Sequence, residues 1–322
     1  MDSNQVALLT RSELWSNDLK EIIHDELMGQ GYVRWLTEFP DGTTFTIPSV
    51  GDATVRDYAE NSPVQYDPLD TGEFQFSITE YVSSGTFITA KARQDAFYAA
   101  ELEASFVPKQ SRAIAEKLET DIFALGMGGA AGGQTVSDLN AINGADHRWV
   151  ASGTSEVMTV SDFAKALFAL KKANMADRNL VAFVDPSVEY ELNTLTNIVN
   201  VSNNPRWEGV ITSGLASGMR FVKNIFGFDI YTSNYLAGAG ADGAGAETID
   251  GVSTTTGVCN IFFSAADPRN VPFLGAWRQM PKVDGEWNKD FQREEYVTTA
   301  RYGLKVYRPE NLVVVLSDTD QV

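Results

Sequence analysis

Apolar and polar positions along the chain change period several times, and the changes predict a mixed α and β architecture. In residues 14–28, Trp15, Leu19, Ile22, Ile23 and Leu27 fall on one face at helical spacing. Gly29 follows at a C-terminal cap position. Residues 31–40 carry Tyr32, Trp35, Leu36 and Phe39 with no clear period, and read as a connector held by aromatic anchors.

From Thr43 the period becomes two. Residues 43–48 form a short predicted strand whose proline, Pro48, places it at an edge or a strand end. Residues 53–58 read as a second strand. Pro63, Asp67, Pro68, Asp70 and Gly72 then supply turn chemistry. Residues 73–81 alternate cleanly, with Phe74, Phe76 and Ile78 on one face and Glu73, Gln75, Ser77 and Thr79 on the other. Ser83-Ser84-Gly85 reads as a turn or bulge before a strand over 86–90. This β region is too poor in apolar residues to bury a core of its own. An isolated two-stranded arm is marginal in water, so it needs a surface to lie on.

Helical patterning starts near Ala92, with Phe97, Leu102 and Phe106 before Pro108 and Ile114, Leu118, Ile122 and Leu125 after it. A proline inside a helix costs about 3 kcal/mol. The expectation is therefore a short helix to Phe106 and a second one from Pro108, roughly 27 Å long. Gly126, Gly128 and Gly129 end it.

The texture then shifts to α/β alternation. Thr159 opens a helix carrying Phe163, Leu167 and Leu170, and residues 180–184 read as a short buried strand. Asp185-Pro186 is an N-cap followed by proline at the first helical position. Residues 228–232 and 258–263 are further strands, separated by a Gly/Ala-rich loop over 237–251. This alternation makes residues 159 to about 280 a candidate domain. The C-terminal part returns to β, with Tyr296, Thr298, Ala300, Tyr302, Leu304 and Val306 on one parity and a last strand over 312–316.

Composition narrows the function classes. The 322 residues, 43% hydrophobic, suffice for one large core or two smaller ones. A net charge of −18, from 43 acidic and 25 basic residues, repels nucleic acid and anionic lipid. By itself that charge reads first as solubility. A single cysteine, Cys259, excludes an internal disulfide framework, and its apolar neighbours favour an inert buried thiol. No basic-then-apolar leader and no run near the ~20 residues of a membrane span are apparent, so a soluble protein of a reducing cytoplasm is expected.

Candidate chemistry is thin. His24 and His147 lack metal-ligand spacing and read as surface histidines. Gly238, Gly240 and Gly243 match a dinucleotide-binding spacing by letter, but no helix opens on the third glycine. There is no P-loop and no nucleophile elbow. Two distant carboxylates could still form a glycosidase pair, which spacing alone leaves open. No catalytic, cofactor or metal residue is assigned.

The order of elements resembles a known family. A helical arm, a long β loop, a spine helix, a compact α/β domain and C-terminal strands returning to the spine are similar to the major capsid protein of tailed bacteriophages, the α+β Hong Kong 97 fold. The resemblance is carried by residues 73–91 leading into 95–125. It is carried also by Glu294-Glu295-Tyr296 and by Arg301-Tyr302-Gly303-Leu304-Lys305-Val306-Tyr307-Arg308-Pro309-Glu310-Asn311-Leu312-Val313. It implies an N-arm over 1–40, an extended β loop over 41–91, a peripheral domain over 92–158 and 285–322, and an axial domain over 159–284.

That resemblance implies a non-catalytic shell subunit of the virion, assembled in the host cytoplasm as hexamers and pentamers around a double-stranded DNA genome. The implied partners are a scaffolding protein, a portal and a decoration or cement protein. DNA would be enclosed without sequence-specific binding, and no membrane is involved. The candidate inter-subunit contacts are Trp15, Ile22 and Ile23 in the N-arm, Arg56, Asp57 and Tyr58 near the loop tip, and the stripe Phe74, Phe76 and Ile78. The founding member crosslinks its subunits through a lysine in the extended loop. This chain has no lysine between Lys20 and Lys91, so its shell is expected to show no covalent ladder on a denaturing gel. Two alternatives are an encapsulin-type compartment shell and, from another class, a cytosolic hydrolase with a β appendage.

Overall fold

The computed structural model describes residues 27–36, 44–50, 55–57, 60–61, 63, 66, 71–95, 99–126, 141–194, 224–236, 248–249, 252–253 and 257–318. In chain order the first elements are β1 (Val33–Leu36), β2 (Thr44–Val50), β3 (Thr71–Ser77), β4 (Glu80–Thr89), α1 (Ala90–Asp95) and α2 (Ala99–Ala124). Then come β5 (Ala141–Ile142), β6 (Ala145–Asp146), β7 (Arg148–Val150), α3 (Val160–Lys172), β8 (Leu180–Val184), α4 (Pro186–Thr194), β9 (Asn224–Ile225) and β10 (Phe228–Thr232). The last are β11 (Thr248–Ile249), β12 (Val252–Ser253), β13 (Gly257–Ser264), β14 (Phe273–Asn288), β15 (Arg293–Val306) and β16 (Val313–Asp318).

Two sheets organise these elements. One has four strands in the order β1-β14-β15-β4, and the other has six in the order β7-β16-β13-β8-β10-β9. Between them lies a core in which Leu118, Ile122 and Phe123 of α2 meet Phe183, Ile261 and Phe263 of the larger sheet and Phe273 and Tyr302 of the smaller. A second core lies on the other face of the six-stranded sheet, under Phe163, Ala166 and Leu170 of α3 and Val188 and Leu192 of α4. Strand β8 is buried throughout, as its unbroken apolar run requires.

The sequence expected the long helix to break at Pro108. It does not: α2 runs through Pro108 for 26 residues, about 39 Å. The lost bond to the Ala104 carbonyl is outweighed by packing just beyond the proline. Gln110, 2% exposed, donates from Nε2 to Thr86 Oγ1 (2.6 Å) and to the Tyr296 carbonyl (2.9 Å). Its Oε1 accepts from Thr298 Oγ1 at 2.7 Å. Ile114, Leu118 and Ile122 then bury one face of the helix. One side chain thus ties the helix to both β4 and β15.

Three strand expectations also change. Ser83-Ser84-Gly85 makes no turn, because β4 pairs with β15 without interruption through Thr299↔Ser83, Thr298↔Ser84 and Val297↔Gly85. The break falls instead at Ile78 and Thr79. Residues 55–57 carry no strand, while the rest of the expected 53–58 strand lies outside the described residues. Strand β14, 16 residues long, was not anticipated. Register shifts between Trp277 and Gln279 and between Gln279 and Lys282 destroy the period of two that would reveal it.

The larger sheet is mixed: β8 and β10 are parallel, while β13 runs antiparallel to both β8 and β16. The helix expected to open at Thr159 does so, and the Thr159 N–H donates to Asp162 Oδ2 at 2.8 Å. Asp185 Oδ2 likewise accepts from the Ser187 N–H at 2.9 Å as α4 begins. Asn260 bridges strands, with Nδ2 donating to the Val315 carbonyl (3.1 Å) and Ser317 Oγ (2.7 Å). Cys259 is buried in β13, as the sequence suggested.

His147 is not a surface histidine. It is fully buried, and its Nδ1 donates to the Ala145 carbonyl at 3.0 Å. Burial holds its pKa below the usual histidine value. Its position beside β7, which pairs with β16 from far along the chain, is a tertiary fact that the polar local sequence hides.

Candidate assembly surfaces

The arm is built from β2 and β3, which pair antiparallel from Thr44↔Ser77 to Val50↔Thr71. Its root is anchored in this chain. Phe76 and Ile78 are buried with Leu274 and Ala276, flanked by Leu36, Ile47, Phe74 and Tyr307. The Phe74 and Tyr307 rings meet edge-on at 5.2 Å, and Lys305 Nζ lies 5.0 Å from the Phe74 centroid while donating to the Gln75 carbonyl at 3.0 Å. Gly303 allows the closest crossing. A Cβ there would lie 2.6 Å from the Ser77 carbonyl oxygen and 2.9 Å from Ile78 Cα.

The apolar stripe of the sequence reading therefore divides. Phe76 and Ile78 bury themselves within the chain, and Phe74 is half-buried against Tyr307. Arg56 and Asp57 are exposed, beyond the hairpin. Tyr58, Trp15, Ile22 and Ile23 lie outside the described residues. Sequence reasoning missed two exposed apolar side chains beyond the hairpin, Val55 at 96% exposure and Tyr66 at 91%. The available signal was weak: Val55 lies in the segment read as a short strand, and Tyr66 stands alone among turn formers.

The entry of the N-terminal segment is the second anchored junction. The turn at Gly29–Tyr32 sits on α2, where the fully buried Glu119 accepts the N–H groups of Met28 (2.8 Å) and Gly29 (2.5 Å) through Oε1. Tyr32 packs edge-on against Phe183 and Phe263, each at 5.5 Å. Trp35 stacks on Trp277 at 5.3 Å, over Gly275, where a Cβ would approach the Trp35 ring to 2.7 Å. These aromatics anchor the segment as expected, but it is not a plain connector: Val33–Leu36 is β1, paired parallel with β14.

Burial pushes the Glu119 carboxyl above its ordinary value, against the hydrogen bonds from Gly29 and Met28. A carboxyl with a raised folded pKa binds its proton more tightly when folded. Its contribution to stability is then least at neutral pH and improves as pH falls through the raised folded value towards the unfolded value of 4.5. Urea titrations of the unassembled chain and of Glu119→Gln should therefore converge or cross on the acid side, wild type gaining relative to the variant. A difference independent of pH between 7 and 4.5 would contradict this assignment.

The four-stranded sheet turns one face towards α2 and the other outward. Tyr81 (66% exposed), Phe87 (55%) and Val297 (36%) lie on the outward face, with Phe291 (66%) at the β14–β15 turn. Arg293 sits over both the Phe87 and Phe291 rings, at 4.4 and 4.7 Å, and donates to Glu295 Oε1 at 2.6 Å. Among the described residues there is no group of three or more His, Cys, Asp or Glu side chains placed to hold a metal. Among them, too, no helix is long and apolar enough to cross a membrane.

A long helix crossing a four-stranded sheet, a six-stranded α/β unit packed beside it and a β arm anchored at its root make up the fold. A family model described as phage capsid protein matches residues 72–315, and the chain belongs to that family. No curated protein matches the sequence. Among solved structures, the cyanophage Pam1 capsid asymmetric unit is similar with a TM-score of 0.69 at 16% identity, covering 98% of each chain. The capsid structure of cyanophage P-SCSP1u gives 0.70 at 14% identity, covering 95% of this chain and 92% of that one. A structure from Mycobacterium phage Che8 gives 0.66 at 19% identity, covering 94% and 96%. At such identities these likenesses show the fold, which is the Hong Kong 97 fold. The protein is a major capsid protein of the tailed-phage type, a structural component of the virion shell that assembles with its own copies.

Proposed function

We propose that this chain forms the hexamers and pentamers of an icosahedral shell around double-stranded DNA, with no catalytic role, and that its arm overlaps an adjacent subunit. The observation that carries the overlap is the contrast along the arm. Its root is locked into the chain by Phe76 and Ile78, while Val55 and Tyr66, beyond the hairpin, remain exposed. Exposed apolar side chains beyond an anchored hairpin favour a partner surface.

In this reading α2 and the four-stranded sheet form the peripheral domain, and the six-stranded sheet with α3 and α4 forms the axial domain. Sheet membership favours moving β7 and β16 to the axial unit and β14 to the peripheral one, relative to the boundaries suggested by sequence. Assembly in the host cytoplasm would use a scaffolding protein and a portal, with a decoration or cement protein as a further partner. The acidic net charge suits a container that encloses DNA without adhering to it.

Arg56, in an arm otherwise rich in acids, is the test residue. Arg56→Glu should lower the yield and heat resistance of assembled particles, measured by sedimentation and by thermal release of contents. Unchanged yield and resistance would remove Arg56 and the loop tip from the interface.

A further inference from the structure

Strand β4 is one edge of the four-stranded sheet, and its composition is unusual for an edge. Its ladder runs to β15 on one side, and among the described residues no strand lies on the other. Edge strands normally carry charges, proline or a bulge that block pairing with another chain. From Tyr81 to Thr89 the strand reads Tyr-Val-Ser-Ser-Gly-Thr-Phe-Ile-Thr, with no charge and no proline. It is also unbroken in register, so no bulge turns the edge away. Arg93 of α1 reaches Glu294 Oε2 at 2.6 Å, on the strand parity shared with the buried Thr298 and Tyr302, which is the face towards α2.

We propose that the β4 edge pairs antiparallel with the β4 edge of a second copy, about a two-fold axis at Ser84. The sequence is self-complementary about that point. Antiparallel pairing centred on Ser84 sets Tyr81 opposite Phe87, Val82 opposite Thr86 and Ser83 opposite Gly85 of the other copy. Two aromatic pairs then form on the outward face, where Tyr81 and Phe87 are 66% and 55% exposed in the single chain. Small residues occupy the centre, and no like charges meet. A two-fold contact of this kind uses the same patch twice and closes on itself, so it adds a defined dimer contact without promoting open fibres. The inference rests on the reading of the chain as a self-assembling shell subunit, since that makes a second copy the available partner.

The test uses the full chain with Ser84→Cys. Residues facing each other in an antiparallel pair have Cα atoms about 4.5–5.5 Å apart, within disulfide reach. The native Cys259 is fully buried and does not compete. Mild oxidation of both soluble chain and particles should convert most of the protein to a dimer on a non-reducing gel, reversed by thiol. The double variant Tyr81→Cys/Phe87→Cys serves as a second probe. Its two cysteines are about 20 Å apart along one strand, so only a second copy can complete the bond. Closed particles that yield only monomer from both variants would overturn β4 pairing and leave the shell reading intact. Dimers from soluble chain without any shells would support the pairing and count against the shell reading.

Discussion

Asn311→Ala is expected to destabilise the chain by about 4 kcal/mol, a large share of the 5–15 kcal/mol typical of a folded protein. Asn311 is fully buried at the end of the turn Pro309–Asn311, where the chain leaves β15 for β16. Its Oδ1 accepts the Ser264 N–H at 2.8 Å, and its Nδ2 donates to the carbonyls of Ser264 and Asn270, both at 2.7 Å. Alanine leaves the buried N–H and carbonyl of Ser264 without this partner, each costing about 1–3 kcal/mol with some overlap because they share one site, and frees the less buried Asn270 carbonyl as well. The consequence is specific. β16 lies between β7 and β13, so loosening its entry opens the six-stranded sheet. Urea unfolding of the unassembled chain measures the effect. Asn311→Asp, which keeps the acceptor and loses the donor, should fall between wild type and alanine. A loss below about 1 kcal/mol for alanine would mean that water replaces the side chain and that the node is not structural.

Gly303→Ala should damage assembly more than folding. The new methyl would press on backbone at Ser77 and Ile78, which cannot swing aside as a side-chain tip would. Overpacking of this kind costs about 1–3 kcal/mol. The relief lies in displacing the β3–β4 junction, which sets the direction of the arm. If the arm contacts a neighbour, a loss of about 1.4 kcal/mol per contact lowers the association constant about tenfold. Circular dichroism should then show a folded chain while closed particles become scarce. Gly285→Ala is the control, since its Cβ meets the movable Tyr296 ring edge at 3.2 Å and comes no nearer to backbone than 3.9 Å, at the Glu295 carbonyl. Normal particle yield from Gly303→Ala would show that the root geometry does not direct assembly.

Much of the architecture was legible because local signals agreed with tertiary context. The buried strand at β8, the helix start at Thr159 and the proline opening α4 each depend on residues close in sequence. Pro108 was misread because its local cost is real but is outweighed by Gln110, whose partners lie 24 and more than 180 residues away. The unbroken β4 was obscured by Ser-Ser-Gly, which suggests a turn in isolation and becomes strand only through β15. Bulges in β14 erased its alternation. His147 looked exposed because nothing nearby announces β16.

The assembly surfaces were less legible than the fold. Alternation showed that Phe74, Phe76 and Ile78 share a face but could not say whose core that face enters, and Phe76 and Ile78 enter their own. The apolar residues left outside, Val55 and Tyr66, have no period at all. An interface is selected on the surface of an assembled shell, and single-chain periodicity carries no record of it.

Electron microscopy of the purified full-length chain tests the central claim most directly. A shell subunit with this fold should give closed particles or rings of five and six subunits. A uniform population of monomers or dimers, under conditions that preserve the fold, would contradict it.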